Sequence, residues 1–337
     1  MRPKVLIIKL GAPGDVLRTT PLLKGLKKKY QNVYIVWLTE TDAVELLNNN
    51  YLIDRVLKYS LESVLRLQIE KFDILLCLDK EIKATALASL VKADKKIGFG
   101  LGEEGNIFPL NASSEYAFQL GISDELKFRS NQKTYQEIIF EMAGLKYHKE
   151  PYIFRLEKEE KKFAQDFLRN KRVRAGDLLI GLNTGCGEAF ATKKWQLERF
   201  CELAERLHQK LKAKVVLLGG PEERERNEEI KEKVKIPIID TGCENTLRQF
   251  ASLINCCNLI VSGDTTAMHL AIALKRPVVA LFGPTCSQEI DLYGKGKKIV
   301  ADVKCAPCYK AKCKKMDCMQ NITVEQVFTA IGELIRR

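Results

Sequence analysis

Short apolar runs and amphipathic segments alternate along almost the whole chain. Residues 5–8, 33–38, 55–57, 74–78 and 95–99 read as strands. The segments 16–30, 42–48, 61–71 and 82–91 read as helices between them; 16–30 sets apolar residues at helical spacing with lysines on the other side. A further helix over 130–144 closes the first half. Residues 146–154 contain Pro151 and show no clear period, so the linker is placed there. After a charged helix at 157–170 the alternation resumes. Strands are expected at 178–182, 215–218, 236–239, 259–261 and 277–282, with helices at 197–211, 247–255 and 323–335. Alternating strands and helices predict an α/β fold with doubly wound, parallel sheets. The expected division is a domain over 1–150, a second over 151–322 and a closing helix over 323–337.

The densest polar signal lies at 259–285. An apolar run ends in Ser262-Gly263-Asp264-Thr265-Thr266, a helical segment follows, and a second apolar run stops at Gly283-Pro284-Thr285. This is one compact βαβ unit. Its helix begins at Asp264 and the threonines, where free N–H groups and the helix dipole favour an anion. Thr265, Thr266 and His269 fall on neighbouring turns of one face. The same residues are consistent with Asp264 as a plain helix cap and His269 as a core residue.

Three other turns follow strand ends. In the first, Lys9 through Asp15 leads from strand to helix with Gly11, Pro13 and Gly14 shaping the turn. Asp15 there can take a proton from a hydroxyl or simply begin the helix. The glycine spacing fits neither a P-loop nor a dinucleotide fingerprint. In the second, Asn183-Thr184-Gly185-Cys186-Gly187 is a small-residue turn suited to close approach of phosphate oxygens, and Lys193 and Trp195 come shortly after. In the third, Glu222 and Glu223 follow a strand, where a carboxylate can hold ribose hydroxyls or lie on a charged helix surface. Gly100 to Gly105 matches G-x-G-x-x-G but runs into Asn106-Ile107-Phe108-Pro109 rather than a helix, so it is expected to be a mobile loop, not a nucleotide site.

Composition narrows the class. The chain has 337 residues, 46% hydrophobic and 29% charged, enough for two ordinary globular cores. No apolar run reaches the ~18 residues of a membrane span, and no secretory leader is read at the start, so a cytoplasmic location is expected. The net charge of +12 fits a phosphorylated substrate, an anionic lipid surface or a lysine-rich exterior. No nucleic-acid-binding module is legible. Of 11 cysteines, Cys305, Cys308, Cys313 and Cys318 form a C-x2-C-x4-C-x4-C series. That series can hold zinc or an iron–sulfur cluster, or stand as a reduced loop or a pair of disulfides.

Three motifs, in order, carry a family resemblance. Asp264-Thr265-Thr266-Ala267-Met268-His269-Leu270-Ala271 followed by Leu281-Phe282-Gly283-Pro284-Thr285 resembles the C-terminal signature of glycosyltransferase family 9, the ADP-heptose:lipopolysaccharide heptosyltransferases. Thr266 departs from the glycine common at that place. Lys9, four residues, then Gly14-Asp15 resembles the family's start, and Lys193 two residues before Trp195 resembles its donor-phosphate lysine. The resemblance implies a GT-B fold of two doubly wound Rossmann-like domains facing across a cleft, with the last helix crossing back to the first domain. It implies an inverting, metal-independent transfer of heptose from ADP-L-glycero-D-manno-heptose to a lipopolysaccharide core, a glycolipid at the inner membrane surface. Asp15 would be the base, with Lys9 in the same cleft. Thr184, Gly185, Cys186, Lys193, Glu222, Glu223, Asp264, Thr265, Thr266 and His269 would hold the donor. No cofactor would be required, and many relatives carry a similar cysteine segment before the last helix. A same-fold transferase for another nucleotide-sugar would keep these sites and change only the sugar, whereas a non-catalytic nucleotide- or metal-binding protein would use the cysteine cluster and leave Asp15 idle.

Overall fold

A computed structural model of the chain describes residues 2–187 and 190–336. The chain divides into two compact units, residues 1–155 with 288–290, and residues 156–287 with 291–337.

The first unit holds strands β1 (Lys4–Ile8), β2 (Tyr34–Thr39), β3 (Arg55–Lys58), β4 (Lys71–Cys77), β5 (Lys92–Leu101) and β6 (Ile107–Pro109). They lie in the order β3-β2-β1-β4-β5-β6, parallel except for the β5/β6 hairpin. Its helices are α1 (Pro13–Thr19), α2 (Leu22–Lys29), α3 (Thr41–Leu47), α4 (Leu61–Ile69), α5 (Ile82–Leu90), α6 (Glu115–Gln119) and α7 (Tyr135–Met142). The sheet is covered on both faces. Val5 and Ile7 enter one core with Trp37 and Phe140, while Leu6 and Ile8 enter the other with Phe72 and Leu87. A strand buried on both sides must be apolar at every position, which is why these runs stood out in the sequence.

Local chemistry moves several boundaries. The single helix expected over 16–30 is two, because Pro21 lacks an N–H and stands between α1 and α2. The helix expected over 61–71 ends at Ile69, and Lys71 already pairs with Lys92 in the sheet. The helix expected over 130–144 starts only after Thr134, whose side chain forms a capping box with Glu137. The expected loop at 100–105 is a hairpin turn: Gly102 N donates to Asn106 O at 2.8 Å, and Gly105 takes the left-handed backbone (φ 77°) that glycine adopts freely.

The second unit holds β7 (Leu179–Asn183), β8 (Lys214–Leu218), β9 (Ile238–Asp240), β10 (Leu259–Gly263), β11 (Val278–Phe282) and β12 (Gly296–Val300). The order is β12-β11-β10-β7-β8-β9, wholly parallel. Its helices are α8 (Lys158–Asn170), α9 (Leu197–Leu211), α10 (Arg224–Lys233), α11 (Leu247–Cys256), α12 (Thr266–Ala273), α13 (Asp317–Asn321) and α14 (Val324–Ile335). The apolar face of helix α14, with Val324, Val327 and Ile331, joins the second unit's core against α9, β11 and β12.

In both sheets the strand order reverses next to the first strand, between β1 and β4 and between β7 and β10. In open parallel sheets such reversals leave a crevice beyond the carboxyl ends of the strands, where ligands bind. The candidate residues lie at these two places.

Candidate functional site

In the second unit, β7 and β10 end side by side and their turns interlock. Asn183, the last residue of β7, donates through Nδ2 to Gly185 O at 3.0 Å and to the hydroxyls of Ser262 and Thr265 at 3.3 Å each. Thr265 is the N-cap of α12, its Oγ1 accepting from Ala267 N at 3.2 Å. Asp264 therefore does not cap the helix. Its carboxylate lies 3.7 Å from Lys193 Nζ and 3.8 Å from His269 Nε2, and Lys193 Nζ also donates to Asp264 O at 3.0 Å. His269 is buried, on the turn that follows Thr265. Lys193, about 70 positions away in sequence, thus joins Asp264, Thr265 and His269 in one cluster at the start of a helix.

Glu223 closes the other side. It is buried, accepts from Gly220 N at 2.9 Å through Oε2, and keeps Oε1 buried with no hydrogen-bond partner. Its carboxylate lies directly over Gly185: a Cβ built there would meet Glu223 Cδ and Oε1 at 1.9 Å. A buried carboxylate oxygen with no partner is costly unless a ligand donor satisfies it. Glu222 is exposed, with its Oε2 3.5 Å from the Cβ position of Gly187. Thr184 is buried and donates to Asn227 Oδ1 at 2.5 Å, while Arg226 Nε holds Thr184 O at 3.1 Å. Cys186 donates to Phe190 O at 3.2 Å, and burial pushes its thiol up to about 11.

The cysteine segment does not form the expected ligand set. Among the described residues, no three or more His, Cys, Asp or Glu side chains converge on a metal position. Cys318 is buried beside Met319 against Gly283, whereas Cys305 and Cys313 are exposed. The segment is instead tied by its backbone. Cys308 N and Tyr309 N both donate to Pro284 O at 2.9 Å, and Thr192 Oγ1 donates to Lys310 O at 2.7 Å.

In the first unit, Lys9, Gly11 and Asp15 follow β1, and Asp79 follows the neighbouring β4. A point at the missing Cβ of Gly11 lies 3.3 Å from both Lys9 Nζ and Asp15 Oδ2. Asp15 is part-exposed and paired with Arg18 at 2.7 Å. The Arg18 guanidinium stacks 4.1 Å above the Tyr135 ring, and Tyr135 OH meets Thr19 Oγ1 at 2.9 Å. Lys9 is buried and paired with Asp79. Burial opposes its charge, but Tyr135, Asp79 and Asp15 outweigh that and hold its pKa above the ordinary lysine value.

Sequence reasoning did not single out Arg18, Tyr135, Asp79 or Arg226 as site residues, and it placed Asn183 and Ser262 in the two turns without a role of their own. For Asp79 a signal existed: an acid directly after an apolar strand of a parallel sheet.

The glycosyltransferase family 9 (heptosyltransferase) model matches residues 62–319. The chain is 27% identical over 295 residues to the lipopolysaccharide core heptosyltransferase OpsX of Haemophilus influenzae, covering 83% of this chain and 79% of that protein. A family 9 glycosyltransferase from Veillonella parvula superposes with a TM-score of 0.81 at 21% identity, over 99% of this chain and 97% of that one. The ADP-heptose LPS heptosyltransferase II of Escherichia coli does so with a TM-score of 0.71 at 20% identity, over 99% and 98%. With its two Rossmann-like parallel-sheet units in the GT-B fold, the chain belongs to glycosyltransferase family 9, the heptosyltransferases, and is a glycosyltransferase.

Proposed function

We propose that this enzyme transfers heptose from ADP-L-glycero-D-manno-heptose to the core of a lipopolysaccharide or a related glycolipid, with inversion at the anomeric carbon and without a metal ion. The observation that carries the reading is the Lys193–Asp264–Thr265–His269 cluster at the N-terminus of α12, facing the Gly185 turn. The names of the relatives supply the sugar and the acceptor.

The second unit binds the donor. Lys193 and the first N–H groups of α12 (Thr265, Thr266) suit a diphosphate. The free Oε1 of Glu223 suits a ribose hydroxyl. The positive groups stabilise the charge that builds on the diphosphate as it departs.

The first unit supplies the base. An acceptor hydroxyl attacks the anomeric carbon from the face opposite the diphosphate. The new C–O bond forms as the bond to the phosphate oxygen breaks, the proton passes to Asp15, and ADP leaves. An oxocarbenium-like transition state of this kind needs a carboxylate on one side and an anion acceptor on the other. The net charge of +12 suits work at the anionic inner surface of a membrane. Among the described residues no helix is long and apolar enough to cross one.

A thermal-shift panel with ADP, UDP, GDP and CMP, free of metal and at one concentration, tests the donor. A ligand of the native state raises the melting temperature by mass action. ADP alone should stabilise. A larger shift with UDP or GDP would keep the fold and change the donor, and no shift with any would favour a non-catalytic role.

A further inference from the structure

Asp79 is the most heavily used side chain near Asp15, yet it belongs to none of the motifs above. One carboxylate oxygen pairs with Lys9 Nζ. The other accepts from Leu10 N, and from Gly11 N at 3.3 Å. Both Asp79 and Lys9 are buried, at 7% and 5% exposure. The contacts span the β1/β4 reversal, joining residues about 70 positions apart. A buried pair so placed does more than neutralise charge. It fixes the two backbone amides from which the chain turns towards Asp15, and it holds Lys9 Nζ beside the point it shares with Asp15 Oδ2.

We infer that Asp79 is a positioning residue for glycosyl transfer: by clamping Lys9 and the Leu10–Gly11 turn, it sets the place and the basicity of the Asp15 carboxylate. This rests on the reading of Asp15 as the base. The charged and titratable groups around the clamp are Lys9, Asp15, Arg18 and Tyr135, with Lys80 and Cys77 on the β4 side and Glu289 4.0 Å from Arg18. Without the Asp79 charge, Asp15 is the carboxylate left beside Lys9 among the described residues. Asp15 then becomes a weaker base, and the acid limb of the pH–rate profile moves to lower pH.

The test compares Asp79→Asn with the wild type in heptose transfer, using kcat, both KM values and the pH profile, with ADP affinity measured separately. The expected result is a fall in kcat of about 100-fold, the scale of a small misplacement of a reacting group, with ADP affinity unchanged and the acid limb displaced downward. Asp79→Glu should recover part of the loss. A wild-type kcat with an unshifted profile overturns the inference. If Asp79→Asn does not fold, the Lys9→Met/Asp79→Leu double variant takes its place, because a buried ion pair replaced as a whole by apolar side chains often folds as well as before. A folded double variant with wild-type kcat also overturns the clamp. Asp15→Asn, run alongside, separates the two ideas. If it is inactive while Asp79→Asn is not, only the clamp fails; if it is active, the base assignment fails first.

Discussion

Replacing Gly185 by alanine tests the donor half of the account through one steric fact. The new methyl would stand 1.9 Å from Glu223 Cδ and Oε1 and 2.1 Å from Cγ. No adjustment of a few tenths of an ångström relieves such overlaps, so the Glu223 carboxylate must leave. It then loses its hydrogen bond from Gly220 N at 2.9 Å, and a ligand loses the free Oε1. A hydrogen bond to a charged group is worth about 1.5–3 kcal/mol. If Oε1 takes a ribose hydroxyl, ADP affinity falls by about 10- to 100-fold at 1.4 kcal/mol per factor of ten. Isothermal titration with ADP measures this directly. The account also requires coupling. Glu223→Ala alone should weaken ADP by a similar factor, and adding Gly185→Ala to it should cost little more, because the methyl then has room. A Gly185→Ala protein that binds ADP within about twofold of the wild type would refute the reasoning, as would two losses that simply add.

Thr265→Ala removes the cap of α12 together with the hydroxyl that meets Ser262 and Asn183. Denaturant titration should show a loss of about 1 kcal/mol, accompanied by weaker ADP binding; unchanged ADP binding would count against the helix start as the anion site. Lys80 offers a pH prediction. Burial, aided by repulsion from Lys127 and Lys9, pushes its pKa down to about 8 from the ordinary 10.5, despite its hydrogen bond to Ala117 O. Between those values the unfolded chain binds the extra proton, so this group makes stability rise as pH rises from about 8 to 10.5. Lys80→Met should therefore be more stable relative to the wild type at pH 7 than at pH 10 in urea unfolding, and a pH-independent difference would contradict the cause assigned.

Much of the fold could be read from the chain because its central strands are buried on both faces and so are apolar without interruption. Strand β12, Gly296–Val300, was missed for the converse reason: an edge strand with Lys297 and Lys298 looks like surface. The break between α1 and α2 lay in plain view at Pro21, but the apolar spacing on either side masked it. The amphipathic pattern of α14 said that one face is buried and could not say against what. At the site, the turns themselves were legible, since glycine, threonine and an acid after a strand have few other uses in a parallel sheet. The partners were not. Asn183 reaches Ser262 and Thr265 across about 80 positions, and Lys9 reaches Asp79 across 70; only the strand order brings them together. Asp264 is a favoured capping residue, yet Thr265 takes the cap and leaves its carboxylate for Lys193 and His269. The cysteine spacing left a metal site, a reduced loop and disulfides open; packing turns Cys318 into the core and leaves Cys305 and Cys313 exposed.

The central claim is that Asp15 is the base in heptose transfer from ADP-heptose. The measurement that bears on it most directly is the rate of transfer to a heptose-free lipopolysaccharide core acceptor by the wild type and by Asp15→Asn, with ADP affinity measured on both. The account predicts transfer by the wild type, a loss of about 100- to 10,000-fold in Asp15→Asn, and equal ADP affinity, since the nucleotide is held by residues of the other unit. Transfer by Asp15→Asn at the wild-type rate would contradict it.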